Sequence, residues 1–157
     1  LPVINLGFSG NGKMETEVGS LLCELNAAAY IVDCLPNMDG TQVSERAEPL
    51  ARQLREAHPE TPIILVEDRT FTNAWIRKSR REHHDASRAK LRAAFENLQK
   101  SGISKLYYLE GESLLGNDSE GATDGSHPSD LGFMRQADAF EPLLRKALGL
   151  PQLSGTR

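Results

Sequence analysis

Apolar residues along this chain fall into short continuous runs, separated by longer segments in which they recur every three or four positions. The runs at residues 2–6, 30–34, 62–66 and 105–109 read as strands. The third is nearly all apolar, as expected for a parallel strand covered on both faces. The segments between them have helical spacing. Residues 14–25 carry Val18, Leu21, Leu22 and Leu25, and residues 41–58 carry Val43, Ala47, Leu50, Ala51 and Leu54 before Pro59 stops the pattern. Residues 77–100 are densely charged but hold Ala86, Ala89, Leu91, Ala94, Phe95 and Leu98, and end at Ser101-Gly102, where glycine suits the left-handed position past a helix. A last helix is predicted from about Asp130 to Leu148, with Phe133, Met134, Ala137, Phe140, Leu143 and Leu144 on its apolar side.

Strand and helix in strict alternation predict an α/β fold, a three-layer α/β/α arrangement with helices on both faces of a parallel sheet. Crossovers in such a sheet are right-handed, and ligands bind beyond the carboxyl ends of the strands. One domain is expected over residues 1–150, with 151–157 as a polar tail.

Composition changes this picture little. The chain is 39% hydrophobic and 25% charged, which sets aside collagen-like, disordered and disulfide-scaffold classes. Its net charge of -4 gives no electrostatic reason to expect nucleic acid or an anionic membrane as a partner. The longest apolar runs, residues 27–32 and 63–66, are too short to span a bilayer. Cys23 and Cys34 fall in apolar segments and read as free core thiols.

The chemistry lies in the loops that follow the predicted strands. Gly7-Phe8-Ser9-Gly10-Asn11-Gly12 is a glycine-rich turn whose backbone N–H groups can approach a ligand closely, as an oxyanion hole or phosphate cradle requires; a tight strand-to-helix turn has the same composition. Asn37 follows the second strand, where its carboxamide could donate to a developing oxyanion or simply serve a turn. Asp124 stands three residues before His127. A carboxylate at that spacing can bond one ring nitrogen, fix the tautomer and leave the other nitrogen as a general base. Ser9 is the one tempting internal nucleophile, because Gly7-Phe8-Ser9-Gly10 nearly spells G-x-S-x-G, but Asn11 occupies the fifth position. His83-His84 reads as part of a solvated helix face in preference to a metal site, Glu67-Asp68-Arg69 as loop-ordering charge with substrate contact as the alternative, and Trp75 either as packing or as a platform for a sugar ring.

Taken together, three of these loops resemble conserved blocks of the SGNH (GDSL-like) hydrolases. Asp124-Gly125-Ser126-His127-Pro128, followed by Gly132 and a helix, resembles the last block; Ser9-Gly10 resembles the second and Asn37 the third. The resemblance implies a flavodoxin-like sheet of order 2-1-3-4-5 and a serine esterase. Asp124 and His127 would be its acid and base, with the Gly10 N–H and the Asn37 amide as oxyanion donors; no metal or organic cofactor is needed. The block carrying the nucleophilic serine has no counterpart here. The expectation is therefore a chain lacking its first strand, with the serine in roughly 30 residues before Leu1. Substrates implied are small acyl esters, acetyl esters of carbohydrate among them, in a periplasmic or secreted setting. Two other classes remain open: a non-catalytic binding module on the same fold, and a metal-dependent phosphoesterase using Asp124 and His127.

Overall fold

Three of the four apolar runs pair into one parallel sheet. In the computed structural model, which describes residues 2–153, β1 (Tyr30–Val32), β2 (Ile63–Val66) and β3 (Leu106–Leu109) lie in the order β1-β2-β3. Tyr30 pairs with Ile63, and Ile63 with Leu106. Around them are α1 (Thr16–Cys23), α2 (Gly40–Ala57), α3 (Lys78–Lys100) and α4 (Asp130–Ala147), with a short 3₁₀ turn at Leu35–Asn37. Residue 1 and residues 154–157 of the expected tail lie outside the described residues.

Successive strand side chains point to opposite faces, so β2 serves two cores. Ile63 and Leu65 pack with Val43, Leu50 and Leu54 of α2 and with Leu91 and Leu98 of α3. Ile64 and Val66 pack with Leu114 and with Phe140, Leu143 and Leu144 of α4. Burial of each such side chain contributes about 1.5–3 kcal/mol. The predicted three-layer arrangement is present, with β2 covered on both sides.

Helix starts follow local chemistry. Asp39 accepts from the Gln42 N–H at 2.9 Å while the Gln42 side chain accepts from the Asp39 N–H at 3.2 Å, a reciprocal cap that starts α2 at Gly40. Ser129 caps α4 by accepting from the Gly132 N–H at 3.2 Å.

Several expectations need correction. Residues 2–6 form no strand: they are coil, with Val3 87% and Ile4 64% exposed, because an extended run becomes a strand only beside a partner and none of the three strands pairs with it. On α4, Phe133 and Met134 are exposed, and the helix rests instead on Phe140, Leu143 and Leu144. On α3, Ala86 and Ala89 face solvent; the buried stripe in that half is His84, Ser87 and Arg88. Arg88 is held there by the loop beyond β2, donating twice to the Asp68 carbonyl at 2.7 and 2.8 Å, while Ser87 donates back to the His84 carbonyl at 3.2 Å. Cys23 and Cys34 are free and half-buried, and burial, with the nearby Asp33 charge, pushes the Cys34 thiol up to about 12.

His84 is fully buried, against the expectation of a solvated face, and stacks on Phe71 with ring centroids 5.4 Å apart. Desolvation, helped by the Arg88 charge, lowers its pKa to about 4. Neutral in the fold and protonated near pH 6.5 once unfolded, it makes the unfolded chain bind the extra proton between those values. Its contribution is thus present above about pH 6.5 and lost as pH falls towards 4. We expect His84→Phe to reduce the loss of stability between pH 7 and 4.5 by about 2–3 kcal/mol, measured as urea midpoints at the two pH values. An equal acid loss in variant and parent would refute this.

Candidate active site

The coil before α1 and the loops after β1, β2 and β3 supply the candidate groups, and the loop after β3 carries the candidate acid and base. Its distal part folds back on itself: the Ser129 N–H donates to the Gly121 carbonyl at 3.0 Å, Ala122 bridges Pro128, and the Thr123 N–H donates to the His127 carbonyl at 3.1 Å. Asp124, Gly125 and Ser126 form the tip. Gly125 has φ +90°, and a Cβ there would come within 2.3 Å of the Asn73 amide, so only glycine fits. At the base of the loop, a Cβ on Gly132 would sit 2.0 Å from the Gly121 carbonyl; the missing side chain lets the first turn of α4 press against the loop. Arg135 of α4 completes the attachment, donating to the Leu115 carbonyl and to Asp118, each at 2.7 Å.

Within the tip, one carboxylate organises everything. Asp124 Oδ1 accepts from the backbone N–H of Ser126 at 2.9 Å and of His127 at 2.8 Å. Its Oδ2 lies 2.7 Å from His127 Nδ1. The His127 backbone N–H, then its imidazole, then the Ser126 N–H hold the Asp124 carboxyl well below the usual carboxylate range. The acid therefore stays ionised across the range in which imidazole titrates. An ionised acceptor at Nδ1 places the proton of neutral imidazole there and leaves Nε2 as the basic nitrogen. Both side chains are open to solvent, His127 at 77% exposure, so a substrate can reach them.

The other two candidates lie together. Asn37 ends the 3₁₀ turn after β1, and its Nδ2 donates to the Gly12 carbonyl at 3.2 Å, tying it to the glycine-rich segment. Nδ2 carries two hydrogens, so one bond leaves a second donor. Gly10 has φ +83° with open space beside it, in a turn closed by the Asn11 N–H to the Phe8 carbonyl at 3.2 Å. Among the described residues, the hydrogen bonds pair Asp124 with His127 and Asn37 with Gly12; none joins the two halves. Ser9 stands in this turn at φ 48°, with coil rather than strand before it and α1 beginning only at Thr16, so the strand-turn-helix setting of a nucleophile elbow is missing.

The loop after β2 contributes more than its sequence indicated. Glu67, Asp68 and Arg69 are all buried. Glu67 accepts from the Gly111 N–H at 2.8 Å, and Arg69 reaches Ser126 inside the tip, with Nε 2.9 Å from its carbonyl and a terminal nitrogen 2.8 Å from its hydroxyl. The loop-ordering reading of this charged run holds, although its target, 57 residues away in the chain, carried no sequence signal. Arg88 was missed altogether, since an arginine in a charged helix gives no sign of burial. Trp75 is 79% exposed, which removes the packing reading. Among the described residues no group of three or more His, Cys, Asp or Glu is placed to hold a metal ion, and no helix is long and apolar enough to cross a membrane.

Comparison with known proteins bears on the family and the fold. The model of the GDSL-like Lipase/Acylhydrolase family matches residues 1–145. A crystal structure from Bacteroides ovatus ATCC 8483, described as a GDSL-like lipase, superposes with a TM-score of 0.90 at 36% identity, over 96% of this chain and 45% of that one. The salicylyl-acyltransferase SsfX3 from a tetracycline biosynthetic pathway superposes with a TM-score of 0.71 at 19% identity, over 89% of this chain and 43% of its own, and is similar in fold. The chain thus spans less than half the length of either structure. None of the curated proteins matches it.

Proposed function

This chain belongs to the GDSL-like lipase/acylhydrolase family, and on that footing we propose that it is most of a serine esterase domain whose nucleophile lies before residue 1. The observation that carries the reading is the 2.7 Å bond between Asp124 and His127 Nδ1, which leaves Nε2 free on an exposed loop beyond β3. In the proposed reaction the serine hydroxyl attacks an ester carbonyl while Nε2 takes its proton. The imidazolium, stabilised by Asp124, returns that proton to the departing alcohol, and a water repeats the sequence to release the acid. The Gly10 N–H and the second hydrogen of Asn37 Nδ2 are assigned to the tetrahedral oxyanion, where such a donor contributes about 3 kcal/mol to the rate.

The substrate proposed is a small acyl ester, acetyl first, borne on carbohydrate. Support comes from the polar Gly- and Ser-rich loop that carries the base, and from Trp75 standing exposed in the β2–α3 connection that holds that loop. An exposed indole can stack on a sugar ring.

A fluorophosphonate probe tests the nucleophile. In the full-length protein it should label a single serine, which peptide mapping places before Leu1, while residues 1–157 alone stay unlabelled and inactive. Labelling at Ser9 would move the nucleophile into this chain. Failure to label a folded full-length protein would favour a binding module.

A further inference from the structure

Arg69 has no part in the reaction just described, yet it is 9% exposed and aims its guanidinium into the tip that carries the base. We infer that Arg69 is a positioning residue for His127, fixing the peptide from which the imidazole projects. The inference rests on the esterase reading of His127.

The argument starts from what orients the base. The His127 side chain is 77% exposed, so packing does not hold it; hydrogen bonds must. Two successive peptide units lead to it, and each is held at both ends. In the first, the Gly125 carbonyl accepts from the Thr72 N–H at 2.9 Å, and the Ser126 N–H donates to Asp124. In the second, the Ser126 carbonyl accepts from Arg69 Nε at 2.9 Å, and the His127 N–H donates to Asp124 at 2.8 Å. Asp124 thus grips both planes from the N–H side, and the loop after β2 grips both from the carbonyl side. Without the Arg69 contact, the plane bearing His127 is held from one side only.

Arginine suits this task for a geometric reason. Its Nε and one terminal nitrogen make two near-parallel bonds, to the Ser126 carbonyl and to the Ser126 hydroxyl at 2.8 Å, which fixes direction as well as distance. The guanidinium is itself anchored: its other terminal nitrogen lies 3.1 Å from Oδ1 of Asp68, a fully buried side chain. Asp68 in turn belongs to a segment held from α3, where Arg88 grips its carbonyl. A chain of contacts therefore runs from the long helix through Asp68 and Arg69 to the peptide of the base. Its endpoint is an exposed loop tip outside both hydrophobic cores.

The test uses full-length protein and p-nitrophenyl acetate, comparing Arg69→Ala, Arg69→Lys, Ser126→Ala and His127→Ala with the parent. A base displaced by about 1 Å loses about 100-fold in rate, so Arg69→Ala should lower kcat by about 30–100-fold with KM within about twofold. Lysine has no fork and should restore little of this, and Ser126→Ala, which keeps the carbonyl bond, should lose less than about tenfold. The imidazole resonances of His127, followed by NMR through a pH titration, should broaden in Arg69→Ala as the ring samples more orientations. An unchanged kcat in folded Arg69→Ala overturns the inference, as does a higher KM at constant kcat, which would make Arg69 a substrate ligand. If Arg69→Ala does not fold, Arg69→Lys decides: a lowered kcat at parental KM supports positioning, and a parental kcat overturns it. His127→Ala separates the two levels, because retained activity there defeats the esterase reading, whereas its loss beside an unaffected Arg69 variant defeats only the inference.

Discussion

Replacing His127 with alanine in the full-length protein is expected to lower kcat on a short-chain aryl ester by about 10⁴–10⁶-fold, with little change in KM. The size follows from what is removed. In the proposed reaction Nε2 takes the proton when the serine attacks and gives it back when the alcohol leaves, so both halves of the acyl cycle would lose their proton carrier. On the proposed mechanism, what survives comes from the oxyanion donors assigned to Gly10 and Asn37 and from binding, which together leave a rate roughly 10³–10⁴ above that in water. His127 is exposed at a loop tip and contributes to neither hydrophobic core, so the variant should fold like the parent; matching thermal transitions would establish that the loss is chemical. Initial rates and a melting curve suffice, and activity within tenfold of the parent would end the assignment.

The second large effect belongs to Asp124→Asn, expected at about 10⁴-fold in kcat near neutral pH. Asparagine retains one oxygen, and that oxygen can go on accepting the Ser126 and His127 backbone bonds that Oδ1 now accepts at 2.9 and 2.8 Å. The NH2 group then faces His127 Nδ1, where Oδ2 stood at 2.7 Å, and a donor there requires Nδ1 to accept. The ring proton moves to Nε2, and the nitrogen meant to act as base is occupied. The fold of the tip is kept while the tautomer is reversed, which is why this variant is more telling than removal of the side chain. Charge adds to the effect, since an amide cannot stabilise the imidazolium.

The pH dependence has a definite sign. Hydrogen bonds from the His127 backbone, the imidazole and the Ser126 N–H hold the Asp124 carboxyl well below its ordinary range. A carboxylate depressed in the folded state stabilises the loop above the unfolded value near 3.9, and that contribution is lost only in stronger acid. The parent's kcat profile should therefore show no break from Asp124 above pH 4. Full rate profiles of parent and Asp124→Asn would show a carboxylate step, if one were present, as a second break.

Much of the fold was legible in the order of apolar positions. Residues 30–32, 63–66 and 106–109 became strands, and each predicted helix formed within a few residues of its expected ends. The α2 face of Val43, Ala47, Leu50, Ala51 and Leu54 is buried as its spacing required. The acid–base pair was legible for a local reason: three residues suffice for one side chain to reach another, and a tight turn at Gly125 closes the distance.

Where the reading failed, the deciding partner lay far along the chain. Residues 2–6 have the composition of a strand and form none, because a ladder depends on a neighbour that local sequence does not specify. His84 was expected on a solvated face and Arg88 gave no sign of burial, yet both are buried, because the ring of Phe71 meets His84 and the backbone beyond β2 meets Arg88 across the fold. By itself the sequence determined the alternation of elements, the α/β class and the Asp124–His127 couple, all properties of spacing within one segment. Only the tertiary structure decided that Arg69 reaches Ser126, and that Asn37 turns to the glycine loop rather than to the base. Those contacts are set by how strands and crossovers bring distant loops to the same end of a sheet, and periodicity carries no record of that distance.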